Sequence, residues 1–566
     1  MASAHSRCSE ELSPGPFPAR PGTLGGVAGD RTPGLMASRY HQATRQDRAV
    51  AGKALRRVDL TDRPRPFKRY LGAEPVPLPR ELPASQEPAA SVLSRGGHGP
   101  EPRLDLEALA RLLFFSAGIT RWVSGIAMRA APSAGALYPI ELYAVCAEVG
   151  GLEPGTYHFD PQAFVLRRLR AGDQRGHLAA AAGPELASVP ASLLLTGIPW
   201  RTTWRYGARG YRHLLWDAGT ILANLLALAD GAGLPAHVLT AFCDAVLSRL
   251  LGLDEPGTLE EYPLAVVPLG RPRAHAAAPL GPLPPLGPVV EPAPGRPVAE
   301  PLVTATHRSG DLHRLDEVER WRERARALPS FSASVHVGRP ARALHLPLEE
   351  VILRRGSTRR FARVPVPTEA LTWALAVATR PIPGDFVAPG RTLLEHHLAV
   401  HAVAGLTPGA YRWSSEGPML LWAGDLRERA AQACLAQDAG GGSAYTVFHG
   451  RRLEALLEAL GERGYRAVLL EAGIVAGRLG LAMHTLGLGS TCLTFYDDEA
   501  ERLFETRAAT MLVTACGQPI RPPRPGHRPP PAPGDLSETG ERTSSSPAGE
   551  RNVMSGDGHR HLPVAT

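Results

Sequence analysis

Arg209-Gly210-Tyr211-Arg212 recurs as Arg463-Gly464-Tyr465-Arg466, and this recurrence decides the fold. The first copy goes on to Ala218-Gly219 and Gly233-Leu234, the second to Ala472-Gly473 and Gly487-Leu488. Upstream, Gly151-Leu152-Glu153-Pro154-Gly155-Thr156-Tyr157 is matched by Gly405-Leu406-Thr407-Pro408-Gly409-Ala410-Tyr411. Both blocks are displaced by the same 254 positions, from 151 to 405 and from 209 to 463. One offset across otherwise dissimilar sequence marks a duplicated domain, not a short-period solenoid. Two tied copies imply a homodimer rebuilt inside one chain, in which a composite site can survive once and decay once.

The elements recur with the motifs. Leu104 to Ser116 and Pro367 to Ala378 have helical spacing, Ile140 to Ala147 and His396 to Val403 read as strands, and Tyr262 to Leu269 and Ala508 to Cys516 read as closing strands. Tyr211 to Gly231 and Tyr465 to Leu486 read as long helices with little polar surface, so they are expected to be buried. The expected organisation is an unstructured N-terminus over 1–35, an N-terminal extension over 36–90 and a first repeat over 91–271. A Pro/Ala-rich linker ending in the charged helix Asp316 to Leu328 fills 272–345; the second repeat covers 346–520 and an unstructured tail 521–566. Met36 opens the recognisable sequence.

Composition narrows the function. The 566 residues carry a net charge of +7, almost wholly from arginine, since Lys53 and Lys68 are the only lysines. No basic stripe interleaves with aromatics, so nucleic acid is not an expected partner. The six cysteines are far apart, without a CxxC or Cys/His cluster, so no metal site or disulfide framework is expected. With no apolar signal region and no run of about 18 apolar residues, the expectation is a cytoplasmic protein off the membrane.

Two stretches carry chemistry. Arg355-Gly356-Ser357-Thr358-Arg359 places two guanidiniums and a hydroxyl where they can grip one phosphate, although such a run can equally be a solvated basic turn. Arg129-Ala130-Ala131-Pro132-Ser133-Ala134-Gly135-Ala136-Leu137-Tyr138-Pro139 puts a small turn before a strand, suited to a close backbone approach to a ligand or simply to a tight turn.

Arg355, Ser357, Arg359 and Phe361 resemble the phosphate motif of the FMN-dependent nitroreductase superfamily. Arg129 to Pro139 resembles the "RxAPSAGALYP" block of its SagB/ThcOx branch, the azoline dehydrogenases of peptide natural-product pathways. Tyr40-His41 with Thr44, then Pro64 to Tyr70, resemble that branch's "YHxxT … PxxFKxY" opening, and Trp204 to Arg212 its "KYGxRGYR" block. The resemblance covers most of 37–271 and 346–518. It implies an α+β fold: two tandem nitroreductase-like domains, each with a mostly antiparallel sheet flanked by helices, forming an intramolecular pseudo-dimer with FMN at the interface. The implied FMN-binding residues are Arg355, Ser357, Arg359, Arg129, Pro132, Ser133, Ala134, Gly135, Gly487, Gly489 and Ser490. The counterpart of the phosphate motif in the first repeat, Arg95 to Gly99, lacks the hydroxyl and second guanidinium. The counterpart of the Pro-Ser turn in the second, Asp385 to Gly390, is unlike it. About one FMN per chain is the consequence.

The resemblance further implies oxidation of azoline rings to azoles in a ribosomally made peptide, beside a cyclodehydratase, with dioxygen reoxidising the flavin. Its catalytic Lys-Tyr pair corresponds to Arg205-Tyr206; Tyr206 matches, whereas arginine, unlike lysine, is a poor base. Two other readings stay open: a nitro or quinone reductase fed by NAD(P)H or another peptide dehydrogenase, and a flavin-free scaffold for a precursor peptide or partner enzyme. His213 and His484 read as core histidines, Cys243 and Cys492 as small core hydrophobes, and Tyr211 and Tyr465 as interface packing.

Overall fold

The computed structural model describes residues 32–530 apart from 49–57, 96–103, 256–257, 274–275, 278–280, 288, 293–294, 334–337, 339 and 341. Residues 1–31 and 531–566 of the two expected unstructured ends, and 96–99 of the eroded phosphate motif, lie outside the described residues.

The chain opens with α1 (Leu35–Ala43) and the edge strand β1 (Glu74–Pro77). The first sheet follows with β2 (Ile140–Cys146), β3 (Gly155–Asp160), β4 (Val165–Ala171) and β5 (Ala191–Gly197); then come α2 (Pro199–Tyr206), α3 (Gly210–Gly231), α4 (Asp244–Leu251) and β6 (Tyr262–Leu269). The strand order is β1-β4-β3-β2-β5-β6, and every pairing is antiparallel. After α5 (Pro301–Arg308) the second sheet is built from β7 (Phe361–Ala362), β8 (Glu395–Val400), β9 (Gly409–Ser414), β10 (Gly417–Ala423) and β11 (Tyr445–Arg451). It is completed, after α6 (Leu453–Thr485), by β12 (Gly489–Leu493), α7 (Asp497–Phe504) and β13 (Ala509–Pro519). Its order is β7-β13-β11-β8-β9-β10, with β12 also on β13, again antiparallel. The expected α+β class with two like sheets is what the chain adopts, and the recurring elements fall within a few residues of their expected bounds.

The long helices explain the pairing of the repeats. Pro199–Gly231 and Leu453–Thr485 are long and apolar enough on average to cross a membrane by composition, although neither holds an unbroken run of about 18 apolar residues, and 83% and 94% of their apolar windows are buried within the fold. Each is broken at an equivalent glycine, Gly207 (φ 56°) and Gly461 (φ 60°), a backbone state that disfavours any side chain. Where α3 crosses α6, Gly219 and Gly473, equivalent residues of the two copies, meet each other. A methyl group at Gly219 would lie 2.4 Å from the Leu470 carbonyl oxygen, and one at Gly473 would lie 2.4 Å from that of Trp216. Self-contact of equivalent positions is the signature of a two-fold interface.

Charge is exchanged across the same interface. Arg209 and Arg212 of the first repeat reach Asp497 of the second at 2.8 and 3.0 Å. Reciprocally, Arg463 and Arg466 of the second repeat grip Asp244 of the first. Each arginine pair also holds a short helical segment. Arg209 donates to the Thr44 carbonyl (2.6 Å) and Arg212 to that of His41 (2.9 Å), while Arg463 donates to the Gly310 carbonyl (3.0 Å) and Arg466 to that of His307. The Gln46 amide donates to the Asp497 carboxylate and its carbonyl accepts the Asp497 amide, as Leu312 does with Asp244. His41 meets the Tyr465 hydroxyl at 3.1 Å, and His307 meets that of Tyr211 at 2.8 Å. The segments 41–46 and 307–312 are therefore structural counterparts. The Pro/Ala-rich stretch within 272–345 is therefore more than a linker: α5 occupies, for the second repeat, the place that α1 occupies for the first. Tyr211 and Tyr465 pack on Tyr40 edge-to-face at 5.6 and 5.8 Å, as interface residues. Asp244, His307 and Asp311 converge within 4.8 Å, but guanidiniums and the Tyr211 hydroxyl already occupy them.

Candidate functional site

A cavity lies between the repeats. Pro132, Ser133, Ala134 and Tyr206 line it from the first repeat, and Arg355, Ser357, Arg359 and Ser490 from the second. Residues separated by more than two hundred positions thus share one space.

The phosphate-motif side is built by β12. Ser357 and Ser490 form a parallel bridge, and the Thr358 amide donates to the Ser490 carbonyl at 3.0 Å. Gly489 makes this approach possible: a methyl group there would overlap the Thr358 hydroxyl at 2.1 Å. Arg355 is buried, which pulls its guanidinium down to about 10, and two of its nitrogens donate across the interface to the Ala130 carbonyl at 2.8 and 3.2 Å. Ser357 and Arg359 are exposed toward solvent. His484 holds the turn: its Nδ1 pairs with the Gly480 carbonyl (2.8 Å), leaving Nε2 to accept the Gly356 amide at 3.4 Å. Burial pulls it down to about 4, so it is neutral, as this arrangement needs. It is a positioning residue at the cavity wall, not only core.

The Pro-Ser side is pinned to α3. Ser133 Oγ donates to Asp217 Oδ2 (2.5 Å) and accepts the Tyr138 amide (2.9 Å); the Ala134 amide donates to Asp217 Oδ1 (3.2 Å), and Thr220 Oγ1 to the Pro132 carbonyl (3.0 Å). Burial pushes the Asp217 carboxyl up to about 7, against the lowering effect of those bonds. Asp217 lines the cavity and was missed from the motifs. The available signal was an acid in the same place of both apolar helices, Asp217 and Glu471.

Tyr206 stacks on His213 with centroids 4.0 Å apart, and its hydroxyl rests against the Gly135 turn, where a methyl group would approach it to 3.0 Å. Gly135 has φ 63°, so both conformation and space require glycine. Burial raises the Tyr206 hydroxyl above its ordinary value, leaving it protonated near neutrality. Arg205 lies beside the Tyr206 ring, 5.9 Å from its centroid, outside the cavity lining. His213 lines the cavity with a buried Nε2 that has no hydrogen-bond partner among the described residues, as does Trp216 with its Nε1.

Several expectations need correcting. Arg129 does not line the cavity; two of its guanidinium nitrogens donate to the Ile140 and Pro66 carbonyls. Gly487 takes φ 72° at the end of α6 and lies against Leu344, so it and Gly489 shape the wall without lining it. Cys243 is core, but Cys492 is exposed and lines the cavity.

The mate of this cavity has different chemistry. The duplication places Leu226, Asp230 and Ala236 there for Gly480, His484 and Ser490, and Arg478 for Asn224. Leu460 and Ala467 stand for Tyr206 and His213. The stretch from Asp385 is consumed in packing: its carboxylate accepts the amides of Thr240 (2.8 Å) and Ala241 (3.1 Å) and pairs with Arg322 (3.1 Å).

A model of the nitroreductase family matches residues 99–271 and 352–512. The chain belongs to the nitroreductase family. It is an oxidoreductase of a group whose members generally use a flavin, usually FMN. A protein of Methanocaldococcus jannaschii described as a nitroreductase is 32% identical over 171 residues, 30% of this chain and 81% of that protein. The microcin B17-processing protein McbC of Escherichia coli is 27% identical over 138 residues, 23% of this chain and 51% of McbC, so this match spans about half of that relative. A crystal structure from Anabaena variabilis, of a protein also described as a nitroreductase, aligns over 86% of this chain and 99% of its own with a TM-score of 0.66 at 24% identity. The last likeness shows the fold.

Proposed function

We propose that the chain is an FMN-dependent dehydrogenase, of the SagB/ThcOx type, that oxidises azoline rings to azoles in a ribosomally made peptide, beside a cyclodehydratase. The carrying observation is the inter-repeat cavity, where the phosphate motif of one copy faces the Pro-Ser turn and Tyr206 of the other. The residues fit the cofactor: Ser357 and Arg359 are exposed at the cavity wall, a hydroxyl and a guanidinium suited to a phosphate, and His213 Nε2 and Trp216 Nε1, buried without a hydrogen-bond partner among the described residues, offer polar partners to a bound heterocycle. The likeness to McbC, which processes microcin B17, and the match of the Arg129 to Pro139 block support a peptide substrate.

FMN supplies a hydride acceptor when bound. Arg355, Ser357 and Arg359 would hold its phosphate, and Ser133 and Ala134 its other end. Removal of two hydrogens from the azoline ring also releases a proton. Arg205 cannot take it, since arginine stays charged. Asp217, held near 7, can take and release it close to neutral pH. Tyr206, protonated and fixed by His213 and Gly135, orients the substrate by donating a hydrogen bond. Dioxygen is the assigned oxidant for turnover.

A second reading, an NAD(P)H-dependent nitro or quinone reductase, is favoured by the Methanocaldococcus relative and by arginine at position 205. The test is flavin release from the purified full chain, followed by mass spectrometry of an azoline-bearing peptide. One FMN per chain, lost in Arg359→Ala, with loss of two hydrogens per ring supports the proposal. FMN present with NAD(P)H oxidation by quinones and no azole formation favours the second reading. No flavin even in excess FMN sinks both.

A further inference from the structure

The duplication gives each sheet an equivalent outer edge, and only one of the two is covered among the described residues. β4 lies on β3 as β10 lies on β9: Gly155 pairs with Ala171 and Tyr157 with Arg168, while Gly409 pairs with Ala423 and Tyr411 with Leu420. In this register Arg167, Arg168 and Arg170 of β4 correspond to Met419, Leu420 and Trp422 of β10. The outer edge of β4 is taken by β1, Glu74 opposite Arg168, and the prolines Pro75 and Pro77 end the sheet there by withholding N–H donors. No strand among the described residues pairs with the outer edge of β10. Met419, Leu420 and Leu421 are nevertheless 43%, 45% and 37% exposed.

This inverts the usual pattern. Open edges are normally protected by charge or kept short, because unpaired N–H and C=O groups recruit other strands. Here the covered edge keeps three arginines, and the open one has no charge from Gly417 to Ala423. Pro418 belongs on the outward side, where a missing N–H costs no ladder bond, and Leu420, two residues on, presents its N–H and C=O to the same side.

We propose that the outer edge of β10 docks an extended strand of another polypeptide, apolar in its middle and basic at its ends. The precedent is β1 on β4. The basic ends follow from Glu416 and Asp425, both exposed, which flank the apolar run. They also disfavour a second copy of this chain: an antiparallel pair centred on Leu420 sets Glu416 of each copy beside Asp425 of the other, and like charges across strands destabilise. The guest strand adds main-chain bonds to the Leu420 edge, and its alternate side chains cover Met419, Leu420 and Leu421. The inference stands apart from the substrate of the inter-repeat cavity.

The test uses the full chain and a synthetic peptide of alternating valine and threonine flanked by lysine pairs, with a glutamate-flanked version for comparison. The Leu420 amide should exchange rapidly in the isolated chain and slow on adding the lysine-flanked peptide. The glutamate-flanked peptide should bind about tenfold more weakly, from charge pairing at both ends. Leu420→Lys should abolish binding while circular dichroism and flavin content stay unchanged. A Leu420 amide already protected in the monomeric chain, a dimer that Leu420→Lys dissociates, or no slowing with either peptide each overturns the proposal.

Discussion

Replacing Asp497 with asparagine tests the claim that charge exchanged between the repeats holds the pseudo-dimer together. Asp497 is 1% exposed at its side chain and accepts from Arg209, Arg212 and the Gln46 amide. Asparagine keeps one acceptor but removes the charge, leaving Arg209 and Arg212 buried without a carboxylate. Breaking a buried pair on one side costs about 3–5 kcal/mol, because the remaining charge stays desolvated. Against typical stabilities of about 5–15 kcal/mol this is a large fraction. With a urea dependence of about 3 kcal/mol/M, the midpoint falls by about 1–2 M. The mirror substitution supplies the control. Asp244→Asn frees Arg463 and Arg466, but Arg466 retains Asp311 at 3.0 Å, so this loss should be smaller, about 1–3 kcal/mol.

The assay is equilibrium urea unfolding followed by far-ultraviolet circular dichroism and tryptophan fluorescence, which should coincide if the repeats unfold together. The acid limb is a second readout. Arg209 and Arg212 hold the Asp497 carboxyl well below its ordinary range, although burial alone would raise it. A depressed carboxyl contributes stability above its unfolded value near 4 and loses it as pH falls. The wild type should therefore weaken below about pH 4 more steeply than Asp497→Asn. An Asp497→Asn stability within about 1 kcal/mol of wild type, or a loss no greater than that of Asp244→Asn, refutes the argument.

Other substitutions probe separate links. In Asp217→Asn, the limb of the pH–rate profile near 7 should vanish. Because the native carboxyl is raised to about 7, the wild type should also lose roughly 4 kcal/mol of stability as pH rises from about 4 to 7, a slope the variant lacks in pH-dependent denaturation. Gly219→Ala puts a methyl group against the Leu470 carbonyl, so the helices must separate; about 1–3 kcal/mol of stability and the bound flavin should be lost together, measured by thermal unfolding and flavin release. Lys68→Met strands Glu261, whose partner lies 2.8 Å away in the core, and should cost about 3–5 kcal/mol by urea unfolding with little change in the flavin spectrum.

The sequence showed most of what is periodic or repeated. Helix and strand positions were legible because apolar spacing encodes them, and the constant offset revealed the duplication directly. Pro132, Ser133, Ala134, Tyr206, Arg355, Ser357, Arg359 and Ser490 were picked from linear motifs and meet at one cavity. The counterpart of α1 was not legible, because only His41 and His307 agree between Tyr40-His41-Gln42-Ala43-Thr44 and Thr306-His307-Arg308-Ser309-Gly310. The interface arginines read carbonyl oxygens in those segments, and any residue supplies a carbonyl. Arg129 misled for a related reason: its place in a motif says nothing about which way its guanidinium turns. Asp217 was hidden because its role depends on burial beside Ser133, which spacing does not report.

Fusion changes what each copy must preserve. In a true homodimer one substitution alters both composite sites; in the fused chain Leu460, Ala467 and Ala236 can replace the counterparts of Tyr206, His213 and Ser490 while the other cavity keeps all three. The interface cannot relax in this way, because each arginine pair needs the acid of the opposite copy whichever cavity works. The structure shows this division: Arg209, Arg212 and Asp497 match Arg463, Arg466 and Asp244 almost bond for bond, whereas the two cavities share little chemistry. The outer edges of the sheets are free to diverge in the same sense, so an arginine-rich strand under β1 and an uncharged open strand at Met419–Trp422 can coexist in one molecule. Symmetry retained marks what holds the halves together, and symmetry lost marks where each half has its own task.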